Sequence, residues 1–174
     1  VLRRRQRQMC IRDRKSTGEV MAIDNSFESA FIKCQLAASN PLPQKGTLFV
    51  SVKDTDKAKI LPVIRSFSKQ GFKILATSGT AQFLIDGGVK TKIINKVSQG
   101  SPHCVDALLE DKIDIVINTT ETRKSINDSF GIRRTALIKN IPYSLTVSGA
   151  RACINSIKRL KAEDITVNPI TNFH

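Results

Sequence analysis

Residues 75–80 read "LATSGT", which sets two threonines, a serine and a glycine directly behind the apolar run Phe72-Lys73-Ile74. Hydroxyls and a glycine where a strand gives way to a helix can cap that helix, or they can seat a phosphate. Gly79 lets the backbone approach a ligand closely, and Thr77 and Thr80 offer donors about one turn apart. The near-dianionic oxygens of a phosphate monoester are stabilised by free N–H groups at a helix N-terminus and by lysines acting as point charges. Lys57 and Lys96 each follow another strand-like run and would reach in from neighbouring loops. Singly, each of these residues also fits an ordinary cap or a solvated charge. As a set after successive strands they point to a pocket.

Asn118, Thr119 and Thr120 follow a fourth strand-like run, and their amide and hydroxyls suit a sugar or base edge as well as a plain turn. Asp128, in "NDSFGIRR", offers a carboxylate to a ribose hydroxyl or to an Asx turn. His103 follows Pro102 at a helix start, where a structural role is expected. The four cysteines, Cys10, Cys34, Cys104 and Cys153, form no Cys-x-x-Cys pair and have only His103 nearby. They read as isolated, mostly buried thiols, without metal or redox chemistry.

The elements that must position these groups begin at residue 46. Apolar β-rich runs at 47–52, 72–77, 90–95, 113–119 and 143–147 alternate with helical patterns at 56–71, 80–88, 102–112, 133–140 and 150–160. In the first helix Ile60, Leu61, Val63, Ile64 and Phe67 form the apolar stripe, and Gly71 closes it. Five strands separated by helices of this length imply βαβ units, a parallel sheet and helices on both faces, a three-layer α/β sandwich. Ligands of such sheets bind beyond the carboxyl ends of the strands, where the polar groups above collect. Ahead of this unit, residues 16–46 hold one helix, over 26–38, with little of its own to pack on, followed by "NPLPQKG", which is linker chemistry.

Length and composition fit this organisation. A chain of 174 residues, 40% hydrophobic and 25% charged, has room for one domain with a sizeable core and a short appendage. No apolar run approaches the ~18 residues needed to cross a bilayer, and the basic N-terminus lacks a following apolar stretch, so a cytoplasmic protein is expected. The net charge of +13 divides unevenly, with +5 in residues 1–14 and a dispersed +8 in the rest. Residues 1–14, "VLRRRQRQMCIRDR", show no periodicity and read as a segment foreign to the domain. The remainder suits small anionic ligands better than a duplex, and one Tyr with no Trp argues against a single-strand platform.

With these residues in view, the chain resembles the C-terminal end of the carbamoyl-phosphate synthase large chain. The likeness is carried by "STGEVM", "SV…DK", "GFKILATSGTAQFL", "INKVSQGSPH", "DIVINTT" and "IRRTAL", in that order, from residue 16 to the last helix. It implies that residues 15–45 are the tail of a preceding ATP-grasp domain and a linker, that 46–165 are a methylglyoxal-synthase-like, Rossmann-like allosteric domain, and that 166–174 are a tail. It implies a nucleotide monophosphate effector, UMP or IMP, with the phosphate on Lys57, Thr77, Thr80 and Lys96. Asn118, Thr119 and Thr120 would approach the ribose and base, with Asp128 placed to join them. The parent family uses ATP with Mg or Mn, works with a small glutaminase subunit and serves arginine and pyrimidine biosynthesis. The ATP chemistry is expected in the missing synthetase domains, which leaves this fragment with no cofactor and no catalysis of its own. Its partners would be those domains and the effector, with neither nucleic acid nor membrane.

Two departures qualify the resemblance. The family's ornithine element is Tyr-x-Thr, whereas here Tyr143 is followed by Leu145, so Tyr143 is expected to be a remnant of a second effector site. The rival of the same fold, methylglyoxal synthase, eliminates phosphate from dihydroxyacetone phosphate and needs a carboxylate beside the phosphate. That family carries it in a Gly-Gly-Asp stretch, where this chain reads Gly100-Ser101-Pro102-His103 and Asp106 lies a turn into the helix.

Overall fold

Leu48, Phe49 and Val50 have no exposed surface, as expected of β-branched and large apolar residues in a strand covered on both faces. They form the middle of β1 (Thr47–Ser51) in the computed structural model, whose described residues are 20–120 and 123–166, with the side chains of 123–128 left aside. The basic segment 1–14 and the tail beyond 166 thus lie outside the described residues. The remaining elements are α1 (Phe27–Ala37), α2 (Asp54–Lys69), β2 (Lys73–Thr77), α3 (Ser78–Asp86), β3 (Thr91–Ile94), α4 (Cys104–Leu109), β4 (Ile115–Asn118), α5 (Arg123–Ile138), β5 (Tyr143–Ser144) and α6 (Val147–Ala162). A 3₁₀ turn, Val97–Gln99, follows β3.

The five strands are all parallel, in the order β3-β2-β1-β4-β5. Leu48 pairs with Ile74 on one side and Ile115 on the other, so β1 is the centre. The chain winds outward from β1 to β3 and then restarts on the other side with β4. The carboxyl ends of β1 and β4 therefore diverge into the crevice where open parallel sheets place their ligands.

Alternation along the strands sorts the core into two layers. Leu48, Val50, Ile74, Ala76, Ile115 and Ile117 face α2, α3 and α6, meeting Ile60, Ile64, Phe67, Leu84, Ile154 and Ile157. Phe49 and Val116 face α4 and α5, meeting Cys104, Leu108, Ile132 and Ala136. Burial of each large side chain contributes about 1.5–3 kcal/mol, and truncating Phe49 to Ala would cost about 3–5 kcal/mol. Leu61 of the predicted stripe is only partly buried and packs at the rim of the first layer, against the turn at Gly87.

Several boundaries differ from the sequence expectation, each for a local reason. The helix expected only from 133 begins at Arg123, so the polar stretch ahead of it is the first half of α5. Its Asn, Asp, Ser and Gly content disfavours helix, but Ser129, Ile132, Thr135 and Ala136 recur on one face and are buried. β5 is short because Thr146 caps α6, and α6 thereby claims Val147 from the expected strand. α4 is short because His103 is its N-cap, while Asp111 turns left-handed just past its end at φ 54°.

The helix before the linker also finds a partner. Ile32 of α1 and Leu42 of the proline segment are buried in the same layer as α6, and Ser156 Oγ donates to Glu28 O at 3.4 Å. Ser26 caps α1 by accepting from Ser29 N at 3.2 Å. The expectation that this helix has little to pack on is thus corrected in part: Ile32 packs into the α6 layer, while Phe27 and Leu36 stay exposed. Among the described residues no helix is long and apolar enough to cross a membrane.

Candidate functional site

A cleft of about 260 Å³ opens at the divergence of β1 and β4. Ser51, Val52, Lys53 and Asp54 supply one wall, Asn118, Thr119 and Thr120 the next, and Thr77 and Lys96 the side toward β2 and β3. Cys104, Ser129 and Ile132 close the back from α4 and α5.

The LATSGT stretch resolves into the end of β2 and the first turn of α3. Thr77 is the N-cap of α3, with extended φ and ψ of −66° and 149°, yet its side chain makes no cap bond. Its hydroxyl instead stands 3.2 Å from Ser51 Oγ, across to the end of β1. The first N–H groups of α3 therefore lack the usual side-chain acceptor. Thr80 is committed to the residue just past β1: Val52 N donates to its Oγ1 at 3.3 Å, and that hydroxyl donates to Val52 O at 3.4 Å. Thr77 and Thr80 are both only 3% exposed, and of the two it is Thr77 that lines the cleft while Thr80 fastens the wall from behind.

Lys57, one turn into α2, holds its ammonium 2.7 Å from Asp54 Oδ1. It sits against α3 as well, since a Cβ added to Gly79 would lie 3.8 Å from Lys57 Nζ. Lys96 precedes the 3₁₀ turn, and its backbone N–H donates to Gln99 Oε1 at 2.8 Å. The hydrogen bond and charge of Lys57, with a smaller contribution from Lys96, hold the Asp54 carboxyl below the usual carboxylate range.

On the β4 side, Asn118 is 3% exposed and its Nδ2 donates to Ser129 Oγ at 2.9 Å and to Tyr143 OH at 3.0 Å. Thr119 accepts from Lys53 N at 3.1 Å through Oγ1 and donates from its own N–H to Ser51 O at 3.0 Å. These bonds fasten the loops after β1 and β4 to each other. Tyr143 lies below the Asn118 amide, with the Arg133 guanidinium 6.0 Å from its ring centre. Leu145 is half exposed beside a second groove that shares Lys53, Thr119 and Thr120 with the cleft. Asp128 falls in α5 immediately before Ser129, but its side chain is outside the described set.

His103 has the structural role expected of it. Its Nδ1 accepts from Asp106 N at 3.3 Å, and Asp106 Oδ2 in return accepts from His103 N at 2.9 Å and from Ser101 Oγ at 2.8 Å. The bonds from His103 N–H and from Ser101 lower the Asp106 pKa. The only carboxylate of α4 is thus occupied as a cap. Cys104 in the back wall is a neutral thiol, pushed up to about 11 by burial, and Cys153 in the first core layer is pushed up to about 12.

The structure brings Thr77, Lys96, Asn118, Thr119 and Thr120 onto one cleft and sets Lys57 beside it. The sequence reading missed Ser51, Lys53 and Ser129. Ser51 and Lys53 follow from the rule that ligands bind at the switch in strand order, applied to the end of β1. Ser129 could be found only once α5 was extended through the polar stretch.

Residues 59–145, half of the chain, match the family model described as the MGS-like domain. Curated relatives include carbamoyl phosphate synthase large chains from Mesorhizobium japonicum, 47% identical over 91% of this chain, and Rhizobium meliloti, 46% identical over 91%. A large chain, C-terminal section, from Methanopyrus kandleri is 43% identical over 92%. This chain spans 14% of the length of the first two relatives and 30% of the third. Among solved structures, methylglyoxal synthase from Elizabethkingia anophelis superposes with a TM-score of 0.50 at 18% identity, covering 65% of this chain and 79% of that one, a likeness of fold alone. The chain therefore belongs to the MGS-like domain family, in the form found in carbamoyl phosphate synthase large chains.

Proposed function

We propose that the cleft binds a nucleoside monophosphate effector of the UMP or IMP type and that the chain is the regulatory domain of a carbamoyl phosphate synthase large chain. The observation that carries this is the open N-terminus of α3, where Thr77 leaves the first N–H groups without a side-chain cap while Lys57 and Lys96 stand at either side. A phosphate monoester would accept from those N–H groups and from Thr77, with the two ammonium groups balancing its charge. Asn118, Thr119 and Thr120 would meet the ribose or base, with Asp128 as a further contact.

In this reading the ATP-dependent ligase chemistry, with its Mg or Mn, resides in the part of the large chain outside this segment. The glutaminase subunit is a partner of that whole assembly, which would work in the cytoplasm in arginine and pyrimidine biosynthesis. An effector biases the remainder of the chain by its differential affinity for two arrangements of the domain, typically ~1–3 kcal/mol. A lyase reading is less well supported, because Asp106 is occupied as the α4 cap.

Calorimetric titration of the 174-residue chain with UMP, IMP and dihydroxyacetone phosphate, with a parallel assay for methylglyoxal, tests the proposal. Saturable binding of one nucleotide without turnover is expected. Turnover of dihydroxyacetone phosphate would replace the sensor by an enzyme, and binding of neither nucleotide would remove the effector site.

A further inference from the structure

Asp54 places a carboxylate in a cleft proposed to bind an anion. It belongs to the first turn of α2, lines the cleft, and has a side chain that is 91% exposed. Its Oδ1 accepts from Lys57 Nζ at 2.7 Å, and that ammonium, on a side chain only 21% exposed, stands against Gly79 in the first turn of α3. The cation nearest the open N–H groups of α3 is therefore already bound by an acid three residues earlier in its own helix. Two further features keep that acid charged. Lys96 acts on it from across the cleft, and the N-terminus of α2, which has no side-chain cap from Lys53, favours negative charge.

We propose that Asp54 is a built-in competitor for the phosphate of the ligand, an internal anion that holds Lys57 in the empty cleft and must be displaced when a nucleotide binds. The proposal rests on the phosphate-cleft reading above. Binding then opposes two effects: the Lys57–Asp54 pair must open, and the displaced carboxylate still faces the incoming dianion at close range. The second helix-start acid, Asp56, remains to favour the N-terminus of α2 if Asp54 is neutralised. The charge on Asp54 thus weakens the site and moves its half-saturation to higher ligand concentration.

The test is titration of the chain and three variants, Asp54→Asn, Asp54→Glu and Lys57→Ala, with UMP, IMP and the uncharged nucleoside uridine. Asp54→Asn is expected to tighten nucleotide binding about 5- to 10-fold, the scale of one close like-charge contact screened by bulk water. Asp54→Glu should stay within about twofold of the parent, because a longer carboxylate at the same i, i+3 spacing still reaches Lys57. Uridine should be indifferent to Asp54. Equal or weaker nucleotide binding by Asp54→Asn, alongside a clear loss in Lys57→Ala, would overturn the competitor and leave the phosphate cleft standing. Equal tightening of uridine would also overturn it, as a reshaping unrelated to charge. Should Lys57→Ala bind like the parent, or the parent bind no nucleotide, the phosphate cleft falls and the competitor falls with it.

Discussion

Thr77, at the end of β2, and Thr146, two residues past β5, are both helix N-caps, yet they leave their helices in opposite states. Thr146 Oγ1 accepts from Gly149 N at 3.0 Å, so the N-terminus of α6 is satisfied from within. α1 is closed in the same way by Ser26, and α4 by the reciprocal bonds of His103 and Asp106. Thr77 turns its hydroxyl to Ser51 and gives α3 no side-chain cap, and α2 starts at Lys53 without one. Both uncapped starts reach the cleft, through Lys53, Asp54 and Thr77, while the capped α4 lines its back through Cys104. A helix start has orphan N–H groups that need an acceptor. Where the chain supplies one the end is closed from within, and where it does not the N–H groups are left to water or a ligand.

This contrast can be broken by substitution. The largest effect is expected from Lys57→Ala, which should weaken nucleotide binding about 10- to 150-fold, the scale of a charged hydrogen bond worth ~1.5–3 kcal/mol. Its melting temperature should hardly move, and calorimetry with thermal unfolding reads both. Thr77→Val should weaken the same ligand about tenfold, or ~1.4 kcal/mol, with a stability loss near ~1 kcal/mol for the bond to Ser51. Thr146→Ala should do the reverse, costing ~1 kcal/mol of stability, about 3 °C in melting temperature, and leaving affinity within about twofold. If Thr146→Ala hurt binding as much as Thr77→Val, the two helix starts would not differ in kind.

The smallest effect sharpens the contrast through pH. The folded-state pKa of Asp106 is lowered, first by the His103 N–H bond and then by Ser101. An unfolded chain therefore binds this proton more readily, so the contribution of Asp106 is present above the ordinary carboxyl range near ~4 and disappears as pH falls through the lower folded value. Urea midpoints measured from pH 7 to pH 3 should fall less steeply in Asp106→Asn than in the parent, starting from a slightly lower value. A parallel fall in both proteins would mean that the capping carboxylate adds nothing.

Much of this arrangement was legible from period alone. The continuous apolar runs became central strands, because residues such as Ile115, Val116 and Ile117 are covered on both faces. The polar residues after the strands gathered at one edge because the strands are parallel. What stayed hidden were pairings between strand ends far apart in sequence. Nothing local to Thr77 announces Ser51 as its partner, and nothing near Asn118 announces Tyr143. α5 stayed hidden for a different reason, since packing of Ser129 and Ile132 against the cleft and core outweighs the weak helix propensity of its first half.

α6 starts at Thr146 and Val147, on the groove that shares Thr119 and Thr120 with the cleft. It runs 16 residues, about 24 Å, and toward its far end Ser156 holds α1 at Glu28. A rod of that length works as a lever: pivoted near Thr146, a tilt of about 5° carries its other end through about 2 Å. α1 packs along that helix through Ile32 and the Ser156–Glu28 bond, so any such tilt would be read out at α1 as a displacement scaled by the length of one helix.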